Sequence, residues 1–218
     1  MNIYRFIEQN MDQVLTLGLE HLYLVFLSLF IAMVTGIPTG IAITKNDRLA
    51  KKVLDVANVL MTVPSIALFG VMLPVLAPFG VGLGKVPAVV ALVLYSELPI
   101  IRNTYIAIKN VDSSLVDAGK GMGLSRWQLL REVEIPIAIP VILAGLRTAA
   151  VMTIGIAAIA AYIGAGGLGV FIQQGISRSY EEMIITGALG VSILAILVDT
   201  GMALIERCLT SKGLKIEA

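Results

Sequence analysis

The sequence predicts an all-α membrane protein, on three observations. Hydrophobic residues make up 57% of the 218-residue chain and the mean hydropathy is +0.91. Charged residues make up only 14%, against roughly a quarter in soluble domains. The apolar residues gather in five runs, at about 20–44, 53–77, 86–108, 135–163 and 183–206, each near the roughly 20 residues that cross a hydrocarbon core. Together they predict a single transmembrane domain over 1–218 with about five spans.

The first run follows a stretch carrying Arg5, Glu8, Asp12 and Glu20, and it stays uncharged from Leu22 to Thr44. That is longer than the core of a secretory leader, so it reads as a retained span. Gly36 and Gly40 in it form a G-x-x-x-G pair, either a close helix contact or a chance pairing. His21, the sole histidine, sits beside Glu20 at the edge of the run, which suits a hydrogen-bonded interfacial residue. Pro64 and Pro74 in the second run and Pro99 in the third predict kinked or interrupted helices. Pro136 suits the first turn of the fourth span, where a missing N–H costs nothing.

The fourth run ends in GAGGLG, where Gly164, Gly166 and Gly169 match G-x-G-x-x-G. A dinucleotide site requires a strand before that pattern and an acidic residue about twenty positions on. Here a membrane span precedes it, and Glu181 and Glu182 begin the fifth run. The glycines therefore predict a sharp turn or a close approach of two subunits.

Basic residues set the orientation. Lys45, Arg48, Lys51 and Lys52 follow the first run; Arg102, Lys109, Lys120, Arg126 and Arg131 border or occupy the loop after the third; Arg207, Lys212 and Lys215 follow the fifth. These twelve of the 16 fall on one side, against Arg5, Lys85 and Arg178 on the other. The N-terminus is expected outside and the C-terminus in the cytoplasm, with the polar segment 112–134 facing the cytosol.

Within that segment, Ser114 lies three residues before Asp117 and Ser125 three before Gln128, each fitting a capping-box start. Gly121 and Gly123 between them permit a turn, so two short helices are expected. A helix pair of this size can also enter a DNA groove. Its tethering between two spans, and Asp112, Asp117, Glu132 and Glu134 against its few basic residues, argue against nucleic acid.

From Asp117 to Pro136 the chain reads DAGKGMGLSRWQLLREVEIP. This resembles E-A-A-x3-G-x9-I-x-L-P, the cytoplasmic signature of ATP-binding cassette (ABC) importer permeases. Asp117, Ala118, Gly119, Gly123, Val133, Ile135 and Pro136 fill its defining positions, with Asp for Glu, Gly for Ala, Val for Ile and Ile for Leu. The resemblance implies that the first short helix docks into a cleft on a partner ATPase. Leu124 and Trp127 are then the expected exposed apolar anchors, although Trp127 fits equally well against the cytoplasmic end of the second span.

The resemblance extends to EHLYLV at 20–25, GKVPAVVALVLYSELPIIRNTYIAI at 84–108, IPIAIPVILAGLRTA at 135–149 and IGAGGLG at 163–169. These stretches are similar to permeases of the osmoprotectant uptake systems for glycine betaine, carnitine and choline. The resemblance implies a type I ABC importer fold, methionine-permease-like, with a cytoplasmic coupling helix pair. It implies a location in the cell membrane and four associates: a second permease copy or paralogue, a separate ATPase that holds ATP and Mg, an extracellular substrate-binding protein, and membrane lipid. A permease for methionine or another amino acid is the nearest alternative, and an ion-coupled secondary transporter the next.

Charges inside the runs are expensive in hydrocarbon and mark pairings or a solute path. At about 1.5 Å per residue, Glu97 and Arg147 both lie roughly 16 Å from the cytosolic side, and Arg102 and Asp199 roughly 9–10 Å. Equal depth predicts the pairs Glu97–Arg147 and Arg102–Asp199. No catalytic constellation is visible. One histidine and one cysteine, Cys208, support neither a metal cluster nor a disulfide framework. The chain has no G-x4-G-K-[ST] loop, so neither enzymatic activity nor a cofactor of its own is expected.

Overall fold

A computed structural model of the protein describes residues 3–209; Lys212 and Lys215 of the basic tally lie outside that range. Two helices open the chain, α1 (Ile3–Gln9) and α2 (Met11–Ile43). The 33 residues of α2 exceed a minimal span because the polar stretch around Asp12 continues the same helix rather than forming a separate lead-in. Asn46 then caps α3 (Asp47–Thr62), its side-chain oxygen accepting from the backbone N–H of Arg48 and Leu49 at 3.0 and 3.1 Å.

The expected interruption of the second run falls at Pro64. The residue before a proline is driven out of the helical region, and Val63 is extended (φ −66°, ψ 126°). Beyond it α4 (Ser65–Leu76) departs at 101° from α3. The Tyr95 hydroxyl donates to the Val63 carbonyl, capping a group that the break leaves outside both helices. Pro99 has no comparable effect, since α5 (Lys85–Lys109) runs through it unbroken.

The second half comprises α6 (Ser113–Gly121), α7 (Arg126–Leu129), a π-helical turn at Leu130–Glu134, and α8 (Ile135–Ile159), which tightens into a 3-10 turn at Ala160–Ile163. It ends with α9 (Gly169–Arg178) and α10 (Glu181–Leu209). Four helical stretches are long and apolar enough to cross a membrane, and the bent α3–α4 pair makes a fifth. α1 and α9 lie outside the predicted runs. Phe6 of α1 packs edge-on against Phe171 of α9 and Tyr180, with centroids 6.1 and 5.4 Å apart, tying both short helices to the start of α10.

α5 lies between α2 and α8 and touches both through glycines. A Cβ on Gly36 would come within 2.9 Å of Glu97 and Ile100, and one on Gly40 within 2.6 Å of Thr104. The G-x-x-x-G pair of the first run is therefore a helix contact. On the other face, a Cβ on Gly145 of α8 would lie 2.5 Å from Asn103 Cβ and 2.9 Å from the Pro99 carbonyl. Ala88 and Ala91 of α5 share one buried cluster with Ala149, Ala150 and Ala157 of α8. A buried hydrogen bond of 2.8 Å between Ser96 and Thr153 crosses the same seam. Such small-residue faces let membrane helices approach until backbone and short polar side chains meet.

His21 departs from expectation: it is fully buried, with Nε2 3.0 Å from the Ile154 carbonyl of α8. Leu17, Leu24 and Val25 continue the buried stripe of α2 around it, so helix packing draws the imidazole inward from the interface.

The small-residue seam yields a paired prediction on one helix. Gly145→Ala should destabilise the protein by about 1–3 kcal/mol through overpacking. Gly155→Ala, with nothing within 4 Å of the added carbon, should be neutral or stabilising by up to about 1 kcal/mol. Thermal unfolding of the two detergent-solubilised variants measures the difference, and equal midpoints would remove the close-approach account.

Candidate coupling segment and membrane charge cluster

The signature segment folds as two short helices against each other. Asp112, rather than Ser114, caps α6: its carboxylate accepts from the Ser114 backbone N–H at 2.8 Å, and that bond holds the Asp112 carboxyl below the usual carboxylate range. The expected Ser114–Asp117 box does not form because Ser114 already lies inside the helix. Asp117 instead pairs with Lys120 at 2.9 Å, both side chains well exposed, a pair of small energetic weight.

α6 ends in a Schellman turn. Leu124 N–H bonds to the Gly119 carbonyl at 3.1 Å and Gly123 N–H to the Lys120 carbonyl at 2.9 Å. Gly123 has φ +83°, a conformation that only glycine adopts without strain. Gly121 lies within the helix and uses no such freedom. Ser125 and Gln128 form the expected capping box of α7, with Ser125 N–H donating to Gln128 Oε1 at 2.9 Å.

Gly119 is buried, and a Cβ there would lie 2.6 Å from Leu129, 3.4 Å from Leu124 and 3.8 Å from Val133. This glycine is the hole into which the second helix fits. Leu124 is therefore not an exposed anchor: the turn folds it half-buried onto Gly119. Trp127, by contrast, is 68% exposed and does not pack into the core. Asp117, Ala118 and Pro136 are exposed, while Val133 and Ile135 are half-buried in the joint with α8.

Three residues passed over in the sequence complete the picture. Leu129 is the buried plug. Leu115 and Met122 are 47% and 74% exposed, and with Ala118 they recur at i, i+3 and i+7 along one helical face. That spacing was the available signal. Leu115, Ala118 and Met122 along the first short helix and its cap, and Trp127 on the second, are thus exposed apolar side chains at the α6–α7 end of the bundle.

Pro136 follows the π-helical turn, in which Ile135 N–H reaches back to the Leu130 carbonyl. A proline removes one donor and crowds the carbonyl four residues earlier; the widened turn provides the room. Through it the second short helix passes into α8 without a loop.

The membrane charges pair differently from the depth expectation. Arg147 of α8 grips Asp199 of α10 with two bonds, Nε to Oδ1 at 2.5 Å and a terminal nitrogen to Oδ2 at 2.7 Å, and lies 3.9 Å from Glu206. Glu97 instead accepts from the Thr35 hydroxyl of α2 at 2.5 Å. Arg102 is exposed and makes no ion pair among the described residues. Helical azimuth explains the exchange. Gly145 faces α5, and Arg147, two residues on, points about 200° away, toward α10. An open cleft between α8 and α10, floored by Ala144, Thr148 and Val151, carries the Arg147–Asp199 pair and Glu206 on its walls.

Comparison with known proteins bears on this arrangement. The family model for the binding-protein-dependent transport system inner membrane component matches residues 24–211. The osmoprotectant import permease protein OsmW of Salmonella typhimurium is 46% identical over 99% of this chain and all of its own length. The glycine betaine/carnitine/choline transport system permease protein OpuCB of Bacillus subtilis is 43% identical over 96% of this chain and 94% of its own. Among solved structures, an inward-facing methionine ABC transporter, MetNI, superposes with a TM-score of 0.84 at 26% identity, covering 94% of this chain and 99% of that one. The bundle has the fold of a type I ABC importer permease, and the chain belongs to the family of binding-protein-dependent transport system inner membrane components.

Proposed function

We propose that the chain is the permease subunit of an ATP-driven importer for quaternary-ammonium compatible solutes such as glycine betaine, carnitine and choline. The observation that carries the coupling is the exposure of Leu115, Ala118 and Met122 along α6 and its cap and of Trp127 on α7. Exposed apolar side chains on a prefolded helix pair, an aromatic among them, have the character of an interface anchor, and the partner they fit is an ATPase carrying ATP and Mg. The solute class rests on the relatives, which are 43–46% identical over nearly the whole chain and are named for osmoprotectants. The methionine transporter shares the fold at 26% identity, so a methionine permease is the weaker reading.

Twelve basic residues support placing the α6–α7 end in the cytosol and the N-terminus outside. An extracellular binding protein then delivers solute to the glycine-rich end, and a second permease copy or paralogue supplies the other wall of the path. Closure of the ATPase moves α6. Because Gly119 seats α6 on Leu129 and the π turn joins α7 to α8 without a flexible loop, that movement reaches the membrane helices as a rigid displacement. Arg147 and Asp199 carry it across to α10, and their remaining exposure of 38% and 37% faces water or the second subunit, since lipid is a poor neighbour for ions.

Reconstituted with its ATPase and binding protein, the chain should give ATP-dependent uptake of labelled betaine, carnitine or choline in preference to methionine; preference for methionine, or uptake driven by an ion gradient without ATPase, sinks the assignment. Trp127→Ala should raise the dissociation constant for the ATPase at least about tenfold, or about 1.4 kcal/mol, with thermal stability unchanged, as read by surface plasmon resonance on nanodiscs. Arg147→Met and Asp199→Asn should each lower uptake more than the double variant does, because either alone strands an unpaired charge. A double variant no better than the worse single one argues against the pair.

A further inference from the structure

α3 and α5 lie side by side, run in opposite directions and are pinned at both ends. At the α6–α7 end Lys109 Nζ donates to Asp47 Oδ1 at 2.7 Å, and at the far end of α3 the Tyr95 hydroxyl donates to the Val63 carbonyl. The Asp47–Lys109 pair fixes a direction on each helix, from which other positions follow at about 100° and 1.5 Å per residue. On α5, Arg102 stands about 10 Å along from Lys109 and within about 20° of its direction. On α3, Lys51, Asp55, Asn58 and Thr62 turn about 20–80° to one side of Asp47, with Asp55 about 12 Å along.

All five side chains are exposed. Ala50 and Ala57, about 60–80° the other way, are buried, whereas Val56 and Val59, still further round the polar side, are 61% and 65% exposed. α3 therefore has a packed face, a polar face and an apolar face, and the polar one opens on the same side of the α3–α5 seam as Arg102. Lipid suits the valines but not the polar row: a charge in hydrocarbon is costly, and the short Asp55 side chain cannot reach headgroups about 12 Å away. Unlike Arg147 and Asp199, which satisfy one another, Asp55 and Arg102 make no ion pair among the described residues. They present opposite charges within about 2 Å of the same height.

We propose that this side of the α3–α5 seam is the chain's wall of the solute path, where Asp55 attracts the quaternary ammonium and Arg102 takes the carboxylate of a zwitterionic solute. The inference rests on the importer reading, with the second permease copy opposite. A fully alkylated ammonium has no N–H and needs charge without direction, which a lone carboxylate supplies. A guanidinium meets a carboxylate with two parallel donors. Contacts open to water hold weakly, as a path requires, because the solute must also leave.

ATP-driven uptake by the complete complex in proteoliposomes, at saturating solute and binding protein, separates the two roles. Arg102→Gln should lower the maximal rate for glycine betaine and carnitine at least about tenfold, as expected for a lost charge-assisted contact, and leave choline, which has no carboxylate, unchanged. Asp55→Asn should slow all three and Asp55→Glu should recover them. A second readout needs no transport: Asn58→Cys in a Cys208→Ser background, or Thr62→Cys if that variant does not assemble, should react with methanethiosulfonates carrying either a trimethylammonium or a sulfonate group. Asp55→Asn should lower the cation-to-anion rate ratio, and Arg102→Gln raise it, each at least about fivefold.

Equal slowing of choline and betaine by Arg102→Gln would make the arginine structural and overturn the proposal. So would cysteines that neither reagent reaches, the result for a face covered by lipid or by the second copy. An Asp55→Asn/Arg102→Gln double variant that outperforms either single one would make the two residues each other's partners and overturn it as well. Absence of ATP-driven uptake by the parent overturns the importer reading itself, so the two failures are told apart.

Discussion

In a bilayer, helices gain little by hiding apolar side chains from one another, because lipid tails are as apolar as leucine. What holds this bundle together is close approach, and close approach here depends on α5 lying within backbone distance of two neighbours at once. Gly36 and Gly40 admit it on the α2 side, and Gly145 on the α8 side. Everything else is positioned by that sandwich. The Ser96–Thr153 bond forms only because the α5–α8 seam is so narrow, and Glu97 reaches Thr35 only because Gly36 beside it has no side chain. The buried His21 belongs to the same set, bridging α2 directly to the Ile154 carbonyl of α8.

That geometry accounts for which parts were legible in the sequence. Span number follows from hydropathy, and the break at Pro64 from the restriction a proline places on Val63; both are one-dimensional signals. The capping box at Ser125 is equally local. Ser114 misled because two candidate caps stood two residues apart, and Asp112 accepted the Ser114 N–H first. The charge pairs misled for a deeper reason. Depth along a span is linear in residue number, but the direction a side chain faces depends on which neighbour the helix packs against. Once Gly145 commits α8 to α5, Arg147 is committed to α10, and no count of residues from Pro136 carries that information.

Leu124 shows the same limit at smaller scale. The resemblance to the permease signature made it an expected exposed anchor, yet in a Schellman turn the residue after the left-handed glycine folds back over the helix. The surface that does project, Leu115 with Ala118 and Met122, had a readable helical spacing but stood partly outside the signature. Sequence motifs point to backbone geometry, with Gly119 as a hole and Gly123 as a left-handed turn, more directly than to the side chains that geometry presents.

The two ends of the molecule use opposite strategies to join the same helices. At the α6–α7 end the joint is dry and mechanical: Leu129 plugs Gly119, and a π turn absorbs Pro136 without a loop. At the glycine-turn end the joint is ionic and water-accessible, a carboxylate held by an ammonium and one backbone N–H. A dry apolar joint loses its packing if it separates, so it suits an element that must move as a piece. An exposed ion pair exchanges its partner for water at little net cost, so it adds little to the cohesion of the helices it touches. The chain therefore joins the same helices by packing at one end and by an ionic contact at the other.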